Sequence, residues 1–89
     1  MTRLKLALHN ELQALELLRD ELKLQAHLLK AEAGTRWQQL EQDWARLKEQ
    51  VQRAEVAGGQ AESELQAAAQ LLVETLKTGY GQIKNALRS

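Results

Sequence analysis

From Trp37 to Leu72 the apolar residues return at alternating spacings of three and four, a pattern that a helix gathers onto one continuous face. Trp37, Leu40, Trp44, Leu47, Val51 and Ala54 open the stripe, and Gly58, Ala61, Leu65, Ala68 and Leu72 continue it without a slip in phase. The repeat is seven residues long, as left-handed coiled-coil packing requires. A face of that length has to be covered, so the chain is expected to turn and lay one helix on another.

The residue types agree with this reading. Proline and Phe are absent, Ala, Leu, Glu, Gln, Lys and Arg dominate, and the strand-favouring Val51, Val56, Val73, Tyr80 and Ile83 are few and scattered. The expected class is all-α, in one domain spanning 1–89, with helices at about 2–33, 36–57 and 60–87.

Two turn signals set those boundaries. Gly34 can supply the left-handed residue that closes a helix, and Thr35 with Gln38 three residues on forms a capping-box pattern. Gly58 and Gly59 pull in two directions. Two glycines inside a helix cost about 2 kcal/mol relative to alanine, and Glu62 and Glu64 followed by Lys84 and Arg88 suit the dipole of a fresh helix. The unbroken phase from Val51 to Leu72 instead suits one long helix. An antiparallel coiled-coil hairpin and a three-helix bundle therefore both remain open.

The first helix carries two apolar lines. Projected at 100° per residue, Leu4, Leu8, Leu12, Leu15, Leu18, Leu22, Ala26, Leu29 and Ala33 form a broad face, with Glu11 and Arg19 as polar intruders. Leu6, Leu17, Leu24 and Leu28 form a narrower line on the far side. A helix in a simple hairpin needs one face. The second implies a helix covered on both sides, by two helices of its own chain or by a second copy. The expected intrachain core is Leu8, Leu15, Leu22, Leu29, Trp37, Leu40, Trp44, Leu47, Leu65, Leu72, Leu76 and Ile83; the expected oligomer or partner interface is Leu6, Leu17, Leu24 and Leu28.

Charge excludes some partners. Twelve basic and twelve acidic residues balance over the whole chain and over each expected helix, five of each sign in 1–33, four in 35–57 and three in 60–89. No segment has the excess of Lys and Arg that binding to phosphates demands, so no nucleic-acid partner is expected. The absence of Cys removes thiol catalysis and thiolate metal sites. His9 and His27 stand about 27 Å apart on one helix and cannot share a metal there. Glu11, Glu16, Glu41 and Asp43 form no recognisable catalytic spacing, and no phosphate loop, serine elbow or zinc motif occurs. No enzyme activity and no cofactor are expected.

The leucine-rich start is interrupted by Lys5, His9, Asn10, Glu11 and Glu16, which breaks the apolar run of a signal peptide. A cytoplasmic location is the expectation. Pairs such as Asp43 with Arg46 and Glu49 with Arg53 have the spacing of helix-stabilising surface bridges.

The strings RDELKLQAHLLKAEA, RWQQLEQDW and AAAQLLVETLKTGYGQIKNAL resemble small bacterial coiled-coil or helical-hairpin proteins of unassigned function, over roughly Arg19 to Leu87. The resemblance implies a helical, non-enzymatic protein, transfers no activity, and draws notice to His27 and Tyr80. The expected function is a structural or protein–protein interaction module, an adaptor, assembly factor or scaffold that self-associates or takes a heterologous helical partner. The alternative is a peripheral lipid-binding or hydrophobic-surface-binding helical protein, in which the hairpin opens onto a membrane.

Overall fold

The computed structural model describes residues 3–88, and the side chains of residues 7–88. Three helices pack together, and among the described residues there is no strand: α1 is Arg3–Gln25, α2 is Ala31–Val56 and α3 is Gly59–Arg88, with a 3-10 turn at Ala26–Leu28. The molecule is a rod of 45 × 19 × 17 Å. Its length is that of α3, whose 30 residues rise about 1.5 Å each.

Direction follows from the contacts between helices. His9 meets Glu55 and Arg19 meets Glu41, so α1 and α2 are antiparallel. Arg36 reaches Gln82 across the short link of Ala57 and Gly58, so α2 and α3 are antiparallel as well. α1 and α3 consequently run the same way, with Glu11 beside Lys77 and Leu22 beside Leu87.

The first turn lies earlier than the glycine signal places it. Gln25 (φ −106°, ψ 0°) leads into the 3-10 turn, and Leu29 and Lys30 are extended at ψ 139° and 168°. Any residue adopts those angles without strain. Gly34 and Thr35 therefore sit inside α2, not between helices: the Gly34 N–H donates to Lys30 O at 2.7 Å, and Thr35 Oγ1 donates to Ala31 O at 3.0 Å. That back-bond is how a threonine settles within a helix, so Thr35 and the exposed Gln38 form no cap. Starting at Ala31 lengthens α2 to 26 residues, enough to run along most of α3.

The second turn lies at the glycine pair. α2 stops at Val56, the Ala57 N–H closes on Arg53 O at 2.9 Å, and Gly59 takes φ +61°, the left-handed region open to glycine at no steric cost.

Breaking there frees α3 to rotate. Its buried residues are Gln66, Ala69, Val73, Leu76, Gly79, Tyr80 and Ile83, so the continuous-stripe positions Leu65 and Leu72 stand one residue off the core line and are only half-buried. From Gln66 to Ile83 the core keeps a three-four alternation if Gly79 is set aside. The expected core positions Leu65, Leu72 and Leu76 depart from that alternation, because Leu72 to Leu76 is a step of four directly after the step of four from Ala68 to Leu72. The bulk of Leu76, Tyr80 and Ile83 selects the rotation that buries all three.

Elsewhere the expected core is found inside. Leu8, Leu15, Leu22, Trp37, Leu40, Trp44, Leu47, Leu76 and Ile83 are buried, and Leu29 packs against them half-buried. Val51, Ala69, Val73 and Tyr80 complete the cluster. Each large aliphatic side chain so removed from water contributes about 1.5–3 kcal/mol before chain entropy is subtracted.

Candidate functional site

Two features of the fold stand out: a polar junction where the three helices meet, and the outer face of α1.

The junction is built around Tyr80. Its ring is fully buried and lies 6.1 Å from the Trp37 ring at a 40° tilt, close to the edge-inclined packing that aromatic pairs favour. Gly79, just before it, lets Leu40 press directly on the α3 backbone, since a Cβ at Gly79 would collide with Leu40 Cδ2. Over this layer Arg19 of α1 donates two hydrogen bonds to the Glu41 carboxylate of α2, Nε to Oε1 at 2.8 Å and Nη2 to Oε2 at 2.7 Å. This two-point geometry is among the strongest available to an ion pair. Its hydrogen bonds, and the field of Glu41, raise the Arg19 pKa against the opposing cost of burial.

Burial, reinforced by the Glu41 carboxylate, holds the Tyr80 phenol well above its ordinary pKa. Its hydroxyl is buried and makes no hydrogen bond with the protein. The junction is a clasp with a neutral phenol beneath it.

The polar intruders of α1 are thus satisfied inside the chain, Arg19 by Glu41 and Glu11 by Lys77 Nζ at 2.7 Å. The remaining carboxylates are dispersed. Asp43 stands 3.9 Å from Arg46 on the surface of α2, Glu16 is exposed, and Glu49 with Arg53 forms the expected helix pair at 2.7 Å. His9 Nε2 lies 3.0 Å from Glu55, His27 is exposed in the 3-10 turn, and among the described residues no three His, Cys, Asp or Glu side chains group as a metal site.

The outer face of α1 carries the second leucine line. Leu17 is 69% exposed, Leu24 78% and Leu28 64%, so the chain's own helices do not cover them. Leu6 lies outside the described side chains. Leu17 sits in a shallow groove with Gln13, Glu16 and Asp20, whereas Leu28 belongs to the end of the rod, beside Ala33, Ala86 and Leu87. Sequence reasoning missed two further exposed aliphatics, Val56 at the end of α2 and Leu71 on α3. For Leu71 the signal was present: in the pair Leu71-Leu72 both side chains cannot face one core.

Among the described residues no helix is long and apolar enough to cross a membrane. No family model, curated protein or solved structure matches the chain.

Proposed function

We propose that this chain is a non-enzymatic interaction module, a three-helix bundle that self-associates and so serves in the cytoplasm as an adaptor, assembly factor or scaffold. The observation that carries the reading is the double face of α1. Leu15 and Leu22 enter the chain's own core while Leu17 and Leu24, two residues further on in each case, stand in water. Two lines of leucine on opposite sides of one helix suit a helix packed on both sides. α2 and α3 act as the base that holds α1 in place, through the Arg19–Glu41 clasp and the Glu11–Lys77 and His9–Glu55 contacts.

Light scattering over a dilution series tests this. The wild-type mass should exceed that of one 10.1 kDa chain and fall on dilution, while Leu24→Asp should remain at one chain with its helix content intact. Equal masses for the two proteins at every concentration would rule out this interface.

Lipid binding is the rival use of the same exposed leucines, and its weakness is the zero net charge, which forgoes attraction to anionic headgroups. Because Trp37 and Trp44 are already buried, their emission discriminates poorly. Co-flotation with vesicles is the sharper probe.

A further inference from the structure

The link between α1 and α2 is made of residues that suit the helix it interrupts. It reads Ala26, His27, Leu28, Leu29 and Lys30, with no glycine and no proline. Ala, Leu and Lys are among the best helix formers. Neither Gln25 nor Lys30, which flank the break, makes a side-chain cap. The second turn is different, because Gly59 at φ +61° marks it locally. The first bend is therefore imposed by the packing of α1 on α2 and α3, against the preference of its own residues.

The apolar stripe also crosses this bend in phase. Projected as one straight helix at 100° per residue, every buried residue from Leu8 to Val51 falls within an arc of about 80°. Leu29 and Ala33 lie on the same arc and carry it across the link. A chain that only ever folds back there has no need of that phase.

The contacts of the folded-back chain would fit a second chain equally. Arg19 pairs with Glu41 and His9 with Glu55, and the midpoints of these pairs are residues 30 and 32. Two chains with α1 and α2 straightened, laid antiparallel about a two-fold axis at that level, keep both pairs, now between chains. Arg36 meets Gln82 in antiparallel packing, so Arg88, the last residue of α3, is level with residue 30 of α2. The two α3 helices thus stop at the axis without overlapping. The hollow at this end of the rod, lined by Leu28, Leu29, Ala33, Ala86 and Leu87, lies at the same level. Stacking two such ends covers it, together with Leu28, which is 64% exposed in the folded-back chain.

We infer that α1 is an exchangeable element: a second copy of this chain supplies its α1 to the seat on α2 and α3, while the link straightens and α1 runs on into α2 as one helix of about 80 Å. The core side chains and ion pairs are the same as before. What the exchange adds is a continuous helix through the link and a covered rod end, which offset the cost of association. It uses the inner face of α1, goes beyond the outer-face association proposed above and stands without it.

Refolding from denaturant at high and low protein concentration tests the exchange. Concentrated chains should yield a dimer on size exclusion that persists after dilution, because separation requires α1 to leave its seat; dilute chains should yield the monomer. Lys30→Pro should lower the dimerisation constant by more than about a hundredfold. Lys30 already has φ −76° and Leu29 before it is extended at ψ 139°, so proline fits the bend, whereas it breaks a straight helix. Lys30→Ala should exchange at least as readily as wild type, which separates the effect of proline from loss of the lysine. Arg19→Glu and Glu41→Arg each set like charges together, in the closed chain and in a dimer with itself. Refolded together, they should form mainly the mixed dimer, read by native mass spectrometry, in which each α1 meets the opposite charge.

Leu24→Asp should exchange as wild type does, since Leu24 faces water. Loss of the refolded dimer in that variant would assign it to the outer leucines and overturn exchange. Monomer alone from a concentrated refold, a Lys30→Pro dimer as abundant as that of wild type, or random pairing of the two charge variants would each overturn it as well, and the dilution series on native protein would still decide the outer face.

Discussion

Tyr80 sits between two glycines whose roles differ. Gly79 is buried against Leu40, itself fully buried, so Gly79→Ala should destabilise by about 1–3 kcal/mol through overpacking. At Gly81 an added Cβ meets nothing within 4 Å, and Gly81→Ala should stabilise by about 0.5–1 kcal/mol through helix propensity alone. Gly34 and Gly59 form a second contrast. Gly34→Ala should stabilise by a similar margin, because the residue is helical and unobstructed, whereas Gly59→Ala should cost about 1–2 kcal/mol at φ +61°. Urea melts of the four variants check these signs, and a destabilising Gly34→Ala would return the turn to Gly34. Tyr80 itself predicts an alkaline effect. Its folded pKa is raised, so its contribution is full below the unfolded value of about 10 and is lost as pH climbs beyond it. Tyr80→Phe should therefore match or slightly exceed wild-type stability at neutral pH, since the hydroxyl has no partner, and should lose less stability above about pH 10.

At the scale of elements, α1 is the piece held by the fewest buried side chains. Leu8, Leu15 and Leu22 are its buried residues among those described, spaced seven apart, while α2 and α3 supply the rest of the core. The Arg19–Glu41 clasp should matter for that reason, and a double-mutant cycle through Arg19→Met and Glu41→Gln should return a coupling of about 1–2 kcal/mol. A coupling near zero would mean that packing alone positions α1. How far these elements were legible depended on which physical signal marked them. Leu8, Leu15 and Leu22 and the Trp37 to Leu47 stripe were readable because helical period alone selects their face. The first turn was misplaced because extended Leu29 and Lys30 need no special residue, while Gly34, which looks like a stop, is tolerated in the first turns of α2. The phase of α3 was misread because periodicity was carried through Gly59, where a left-handed residue lets the next helix start at any rotation.

For the whole molecule, the decisive contrast is between two leucines of one helix. Leu22→Asp should unfold the rod, since it places a charge in the core, and Leu24→Asp should keep the helical circular dichroism while reducing the mass in solution and removing the concentration dependence of melting. If both unfold the protein, the two faces of α1 are not independent. The candidate surface was legible in outline, as a second leucine line on α1, but its extent was not. Leu28 turns to the end of the rod because the helix has already tightened into a 3-10 turn there. Helical class, the apolar faces of the first two helices and the balance of charge along each were determined by the sequence alone, because spacing and composition act locally. The place of the first turn, the rotation of α3, the pairing of Arg19 with Glu41 and the burial of Tyr80 were decided only by the tertiary structure, because each depends on how helices distant in sequence fill one shared core.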